Sequence, residues 1–443
     1  MTRDVRALAE FGAALTFESL PADVTAKVKT TLMHNLGVGL AGHRLATTAT
    51  ELARSLGTGD ARLLVDGSRV SVDAAILANA AAIHARTQDD TQLAAQTHFG
   101  TTVIPALLAL GEEADSTGAD LVVAVAAAYE IGSHLGRAMG PKATARGFRA
   151  TTVFAPLAVA AGAAKLLGGG ADEIAGAIGH AAAFGGGTGH TWVAGTDEWL
   201  YQVGTAARSG VLAARLALAG VPSSVDALTG RSGLYEAFCG GFSDDAAVPG
   251  DPWFSFDVTY KPYPICAINQ RPVAQVAQVA RLLDQREIAF ADVTGVELRL
   301  TPSEADYPGT RELPPFDGVG AALMSAPLCV AIALRDGGVT RSSLERYGDA
   351  ELARVAELVR VVGDDSLGPG ESAVAIELGS TIHRDADLDA VAPFTWDFDE
   401  VVARLNGAAD DIDGGMASVA RLATAVQDLE SLSIRALVEA TLQ

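Results

Sequence analysis

From Val5 to about Phe238 apolar residues recur every three to four positions almost without interruption, and this feature decides the fold class of more than half the chain. The period is interrupted by glycine and proline punctuation at Gly57-Thr58-Gly59, Gly140-Pro141, Gly168-Gly169-Gly170 and Gly185-Gly186-Gly187. Such a pattern reads as successive helices joined by short turns. Ala26 to Ala41 predicts a helix ending at Gly42, Val72 to Ala85 one that delivers His84 to its end, and Val153 to Leu167 another. Hydrophobic residues make up 49% of the chain and aromatic ones only 6%, so these helices are expected to pack closely through alanine and glycine.

The pattern changes after a stretch rich in Gly, Asp and Pro, Gly240 to Asp257. Beyond it Val296, Leu298 and Leu300 alternate with Glu297, Arg299 and Thr301, and Val374, Ile376 and Leu378 alternate likewise, which predicts strands. Helices are expected at Pro272–Gln285, Val319–Leu334 and Asp349–Leu358, and helical patterning returns after Pro393 through Val401–Leu405 and Ser418–Leu442. The expected architecture is mainly α with a smaller α+β domain. A large helical domain over 1–258, completed by 394–443, would carry an inserted α+β lid over 259–393.

The charge balance narrows the partners. With 32 basic against 54 acidic residues the formal net charge is −22, which opposes binding to nucleic acid or an anionic membrane surface. Three cysteines, Cys239, Cys266 and Cys329, form no CxxC pair and so predict neither a disulfide framework nor a zinc site. A reducing cytoplasm is the expected setting. Met1 to Arg6 leads into an amphipathic helix pattern and not a signal peptide. The longest apolar run, Val319 to Leu334, contains Ser325 and Pro327 and falls short of the ~20 residues that span a bilayer.

Chemistry concentrates in a few polar stretches. Lys261-Pro262-Tyr263-Pro264-Ile265-Cys266 brings an amine, a phenol and a thiol together on backbone that its two prolines hold extended. A helix follows, with Asn269 as its expected N-cap, so these groups would precede a helix N-terminus that favours an anion. His84 through Asp89-Asp90-Thr91, followed by His98, sets two carboxylates between two histidines. That arrangement suits an oriented imidazole base; the spacing matches no common metal-ligand pattern. Arg146-Gly147-Phe148-Arg149-Ala150-Thr151-Thr152 is a candidate carboxylate cradle at a helix start. Each stretch also has a plain structural reading: a solvated lysine, a buried cysteine, a capping Asp pair, an arginine pair on a loop. Nothing resembles GxGxxG after a strand, and no nucleotide cofactor or metal is expected.

Taken together, Leu36-Gly37-Val38-Gly39-Leu40-Ala41-Gly42, His84 through Asp89-Asp90-Thr91, His98 with Pro105 downstream, Ala163 to Gly168, Ala206 to Gly210 and Lys261-Pro262-Tyr263-Pro264 make the chain resemble the MmgE/PrpD family nearly end to end. That family includes 2-methylcitrate dehydratase, cis-aconitate decarboxylase and iminodisuccinate epimerase. The resemblance implies a helical domain with an α+β lid, a homodimer, and a cofactor-free site that performs proton transfer next to a carboxylate or carbonyl. Asp89, Asp90, Thr91, His98, Lys261, Tyr263 and Cys266 keep the family's pattern. His98 is expected as base, oriented by Asp89 or Asp90, with Lys261 stabilising developing charge and Tyr263 or Cys266 as acid. Other positions depart: Thr87-Gln88 replace Asp-Phe, Arg149 stands for a histidine after Gly-Phe, Trp199 for a lysine, and Gln202 and Gln270 for histidines. With Thr91, these substituted positions are the expected substrate contacts, Arg149 anchoring a carboxylate and Trp199 offering a packing surface. The expected substrate is a carboxylic acid or ketone less charged than a tricarboxylate, and the reaction a lyase or an isomerase/cyclase step. The alternative is a binding or scaffold homologue that has lost the catalytic set.

Overall fold

The computed structural model describes residues 5–242, 248–285, 289–378, 381–384 and 391–442. The first four residues, and 243–247 of the Gly/Asp/Pro-rich stretch, lie outside them. The chain divides into two compact units, one comprising Met1–Gly187, Leu200–Tyr260 and Thr395–Gln443, the other Thr188–Trp199 and Lys261–Phe394.

Helices carry the core of the first unit. Ala22–Gly42, Val72–His84, Gly100–Ala114, Gly118–Gly136 and Ala150–Leu166 are buried along most of their length. Ala150–Leu166 is buried at every position except Lys165, as befits a central helix surrounded by others. Small side chains allow the close approach: a Cβ added to Gly162 would stand 2.8 Å from Ala128 Cβ and 3.0 Å from the Ala124 carbonyl oxygen. After residue 394 the chain returns to this unit as Phe398–Gly407, Gly415–Gln427 and Ile434–Ala440. Leu405 fills the notch left by Gly37, where a Cβ would meet Leu405 Cδ1 at 2.3 Å. The patterning from Ser418 to Leu442 is divided by a turn at Leu429–Ser431, after which Ser433 caps the last helix by accepting the Ala436 N–H.

The second unit holds a four-stranded sheet in the order Val359–Gly363, Val293–Leu300, Ala373–Leu378, Thr381–Arg384. Its first pair is parallel, with Val296 opposite Val359, and the other two are antiparallel. A parallel neighbour requires a crossover, and the helices between residues 302 and 357 provide it. Val296, Leu298 and Leu300 are buried while Arg299 between them is exposed, as the alternation predicts.

One expected helix is two. Val319–Leu334 resolves into Val319–Ala322 and Ala326–Asp336, because Ser325 leaves the helical region to accept the Leu328 N–H and Pro327 starts the next helix. The overall class is as the sequence predicts, mainly helical with a smaller α+β part. Among the described residues no helix is long and apolar enough to cross a membrane.

Candidate active site

A short excursion of the chain in the first unit gathers the polar groups. Val72–His84 ends at His84; the chain then runs through Asp89 and Asp90 into the strand Thr91–Gln92. Thr91–Gln92 pairs on one side with Val258–Thr259. Its own chain folds back on the other side, where Gln92 and Thr97 exchange N–H···O bonds of 2.9 and 3.2 Å around a tight loop with Gln96 at φ 49°. The return delivers His98 beside Thr91 immediately before the helix Gly100–Ala114. His98 is held there by its backbone N–H, which donates to Thr151 Oγ1 at 3.3 Å.

Asp89 bridges the two histidines. Its Oδ1 lies 2.9 Å from His84 Nδ1 and its Oδ2 3.0 Å from His98 Nδ1, while the carboxylate itself is fully buried. The imidazole tautomers follow from these neighbours. His98 Nδ1 also lies 3.0 Å from the Asp90 carbonyl oxygen and 3.1 Å from Thr91 Oγ1. A carboxylate and a carbonyl only accept hydrogen bonds, so Nδ1 must carry the proton and Nε2 the lone pair of the neutral ring. His98 is the less buried of the two, with 19% of its side chain exposed against 2% for His84.

His84 is fixed from both sides. Arg149 Nη2 stands 2.7 Å from His84 Nε2, and a guanidinium can only donate. Nε2 is therefore the acceptor, and Nδ1–H donates to Asp89. Burial holds the His84 ring down to about 3, with Arg149 and His98 adding to the effect and Asp89 opposing it; the ring is neutral. Arg149 is itself buried, its backbone N–H donating to the Gly187 carbonyl at 2.9 Å and its Nη1 to Gln202 Oε1 at 3.0 Å. Arg146, the other arginine of that stretch, is exposed.

Asp90 faces the other way. Its Oδ1 accepts the Gly100 N–H at 2.8 Å and its Oδ2 the Tyr129 hydroxyl at 2.6 Å, while its own N–H donates to Asn35 Oδ1 at 3.3 Å. Burial raises the Asp90 carboxyl above the usual range. The same site shows why residue 100 is glycine: a Cβ there would stand 2.2 Å from Asn35 Oδ1. Asp90 thus ties the start of Gly100–Ala114 to Gly118–Gly136 and Ala22–Gly42. Tyr260, 1% exposed, stacks on Trp396 at 5.8 Å and shares a 2.9 Å hydroxyl contact with Thr31; Lys27 lies 4.4 Å above its ring. Burial lowers the Lys27 amine to about 8, against the pull of Asp90 and Asp257.

The remaining expected site residues belong to the second unit. Lys261 is buried, 3% exposed. Tyr263 and Cys266 are part of a loop that Gln270 staples: its Nε2 donates to the Tyr263 and Ile265 carbonyls, both at 2.9 Å, and its Oε1 accepts the Tyr263 N–H at 3.1 Å. The Cys266 N–H donates to the Leu323 carbonyl at 3.2 Å. Burial pushes the Cys266 thiol up, and Lys261 pulls the other way. Asn269 does not serve as the expected helix cap. It lies in a 3-10 turn before Gln270–Gln285, and its Nδ2 donates to the Leu323 and Met324 carbonyls at 3.3 and 3.0 Å. Trp199 is 5% exposed, its ring 5.5 Å from that of Trp192 and its backbone N–H 3.4 Å from Thr191 Oγ1.

Tyr129 and Asn35 support the site without having been singled out from the sequence, whereas His84 was read there as one of the two histidines flanking the carboxylates but was given no role of its own. The family model of the MmgE/PrpD N-terminal domain matches residues 6–246, more than half of the 443 residues. The chain belongs to the MmgE/PrpD family. The matched region contains every residue of the His84–Asp89–His98–Arg149 cluster, and MmgE/PrpD membership supports an enzyme of the dehydratase or isomerase type. No curated protein matches the chain.

Proposed function

We propose that this MmgE/PrpD protein is a cofactor-independent acid–base enzyme that takes a proton from carbon next to a carboxylate or carbonyl, with His98 as the base. One observation carries the reading: the surroundings of His98 Nδ1 put the proton on that nitrogen and leave Nε2 as the basic atom. Asp89 orients the ring and stabilises the imidazolium formed when Nε2 accepts a proton, the role a buried carboxylate plays behind a catalytic histidine. Lys261 is assigned the developing enolate charge on the strength of the retained Lys-Pro-Tyr-Pro motif. Tyr263 or Cys266 is the candidate acid, and a raised Cys266 thiol stays protonated and able to donate.

The substrate is a monoacid or ketone with fewer charges than a tricarboxylate. Support comes from neutral side chains at Trp199, Gln202 and Gln270 and from Arg149, whose guanidinium already donates to His84 and Gln202. A buried carboxylate without a cation costs several kcal/mol, and apart from Arg149, already engaged with His84 and Gln202, these positions supply none. Assays on 2-methylcitrate and cis-aconitate test this directly. Negligible turnover is expected; kcat/KM above roughly 10⁴ M⁻¹s⁻¹ on either overturns the substrate class.

A further inference from the structure

We infer that Arg149 is a positioning residue that works through His84: it occupies the His84 Nε2 lone pair, keeps that imidazole neutral, and so preserves Asp89 as an anion facing His98. The effect on catalysis rests on the proposed role of His98; the tautomer of His84 does not.

The chain of contacts is continuous and buried. Gln202 Oε1 accepts from Arg149 Nη1 at 3.0 Å, Arg149 Nη2 donates to His84 Nε2 at 2.7 Å, His84 Nδ1 donates to Asp89 Oδ1 at 2.9 Å, and Asp89 Oδ2 accepts from His98 Nδ1 at 3.0 Å. Arg149, His84 and Asp89 are exposed by 2%, 1% and 0%. In so buried a cluster the position of one proton decides the charge of the carboxylate's partner. If His84 took a proton at Nε2 it would become a cation beside Asp89, and the carboxylate would be neutralised by His84 instead of serving His98. Burial opposes this first, and the bound guanidinium reinforces it by direct contact with the lone pair. A lysine or histidine could not do the same equally well: a lysine presents a point charge without the planar fork that reaches His84 and Gln202 together, and a histidine can give up its proton.

Asp89, His98 and Arg149 act on His84, with Asp90 adjacent to Asp89. Tyr129 hydrogen-bonds Asp90, and Lys27 acts on it from Ala22–Gly42. Arg149 is the group to change because its Nη2 stands on His84 Nε2 at 2.7 Å.

The experiment uses the full chain with selectively ¹⁵N-labelled histidine, together with kinetics on a substrate that the wild type turns over. In the wild type, His84 should show a protonated Nδ1 and an unprotonated Nε2 from pH 8 down to at least pH 5. In Arg149→Met, Nε2 should accept a proton within that range, and kcat/KM should fall at least tenfold at pH 6, with a smaller loss at pH 8. His84→Asn retains an N–H where Nδ1–H donates but cannot ionise. In that background Arg149→Met should change kcat/KM less than threefold at either pH. An Arg149 that anchors substrate carboxylate instead would cost the same factor, mostly in KM, whether residue 84 is histidine or asparagine, and would overturn the inference. A His84 that carries its proton on Nε2 in the wild type would overturn it independently of any assay. His98→Gln with wild-type turnover would strike at the role of His98 alone and leave the tautomer measurement standing.

Discussion

Replacing His84 by asparagine should remove one specific source of acid sensitivity. In the folded chain burial holds the His84 ring down to about 3, whereas its ordinary value is 6.5. Between those values the unfolded chain binds a proton that the folded chain refuses. The depressed group therefore contributes stability that is present above pH 6.5 and is lost as the pH falls toward 3. The slope is about 1.4 kcal/mol per pH unit, which gives roughly 2 kcal/mol lost at pH 5 relative to pH 8. For a unit of nearly 300 residues this corresponds to about 3 °C in Tm. Asparagine keeps a donor toward Asp89 but does not titrate. Measured by thermal unfolding at a series of pH values, wild type minus His84→Asn should be constant above pH 7.5 and should shift in favour of the variant by about 3 °C at pH 5. A difference that stays flat from pH 8 to pH 5 would refute the claim that His84 is buried and neutral.

Asp89→Asn should lower turnover by about 10²- to 10⁴-fold with the fold kept, since the two histidines are met by different carboxylate oxygens and an amide turns an N–H₂ donor toward one of them; circular dichroism and initial rates check both halves. Asp90→Asn should behave differently, changing turnover less than tenfold while costing about 1–3 kcal/mol of stability through its contacts with Gly100 and Tyr129; the same two measurements separate the adjacent carboxylates. Gly100→Ala should destabilise by at least about 1–3 kcal/mol, because the added methyl collides with Asn35, and a Tm within 1 °C of wild type would contradict the packing at this point. Gln270→Ala should loosen the 263–266 loop, raising amide exchange of Tyr263 and Cys266 at least tenfold with little change elsewhere.

Period and punctuation made the helical class legible, because a buried helix such as Ala150–Leu166 must be apolar all round and small where neighbours approach. The sheet was half legible. Val293–Leu300 and Ala373–Leu378 alternate cleanly, whereas Val359–Gly363, with apolar residues at three of its five positions, resembles the end of the preceding helix. In the site, the clustering of Asp89, Asp90, Thr91 and His98 was visible because they are neighbours in sequence. Their division of labour was not: the strand pairing at Thr91–Gln92 turns Asp89 toward the histidines and Asp90 toward Tyr129, and no local pattern carries that choice. Asn35 and Tyr129 sit at ordinary helix positions far along the chain, so only the packing of three helices reveals them. Gln270 was expected from the sequence as a substrate contact; its role as a backbone staple depends on loop geometry that composition does not encode.

The central claim is that His98 Nε2 takes a proton from carbon. Hydrogen–deuterium exchange in D₂O, followed by NMR across a panel of small monocarboxylic acids and ketones, tests it most directly because it does not require knowledge of the completed reaction. The wild type should exchange a carbon-bound hydrogen next to the carboxyl or carbonyl group of at least one panel member, and His98→Gln, folded and otherwise unchanged, should do so at least 10²-fold more slowly. Exchange by His98→Gln at the wild-type rate, or no exchange by the wild type on any member of the panel, would contradict the account.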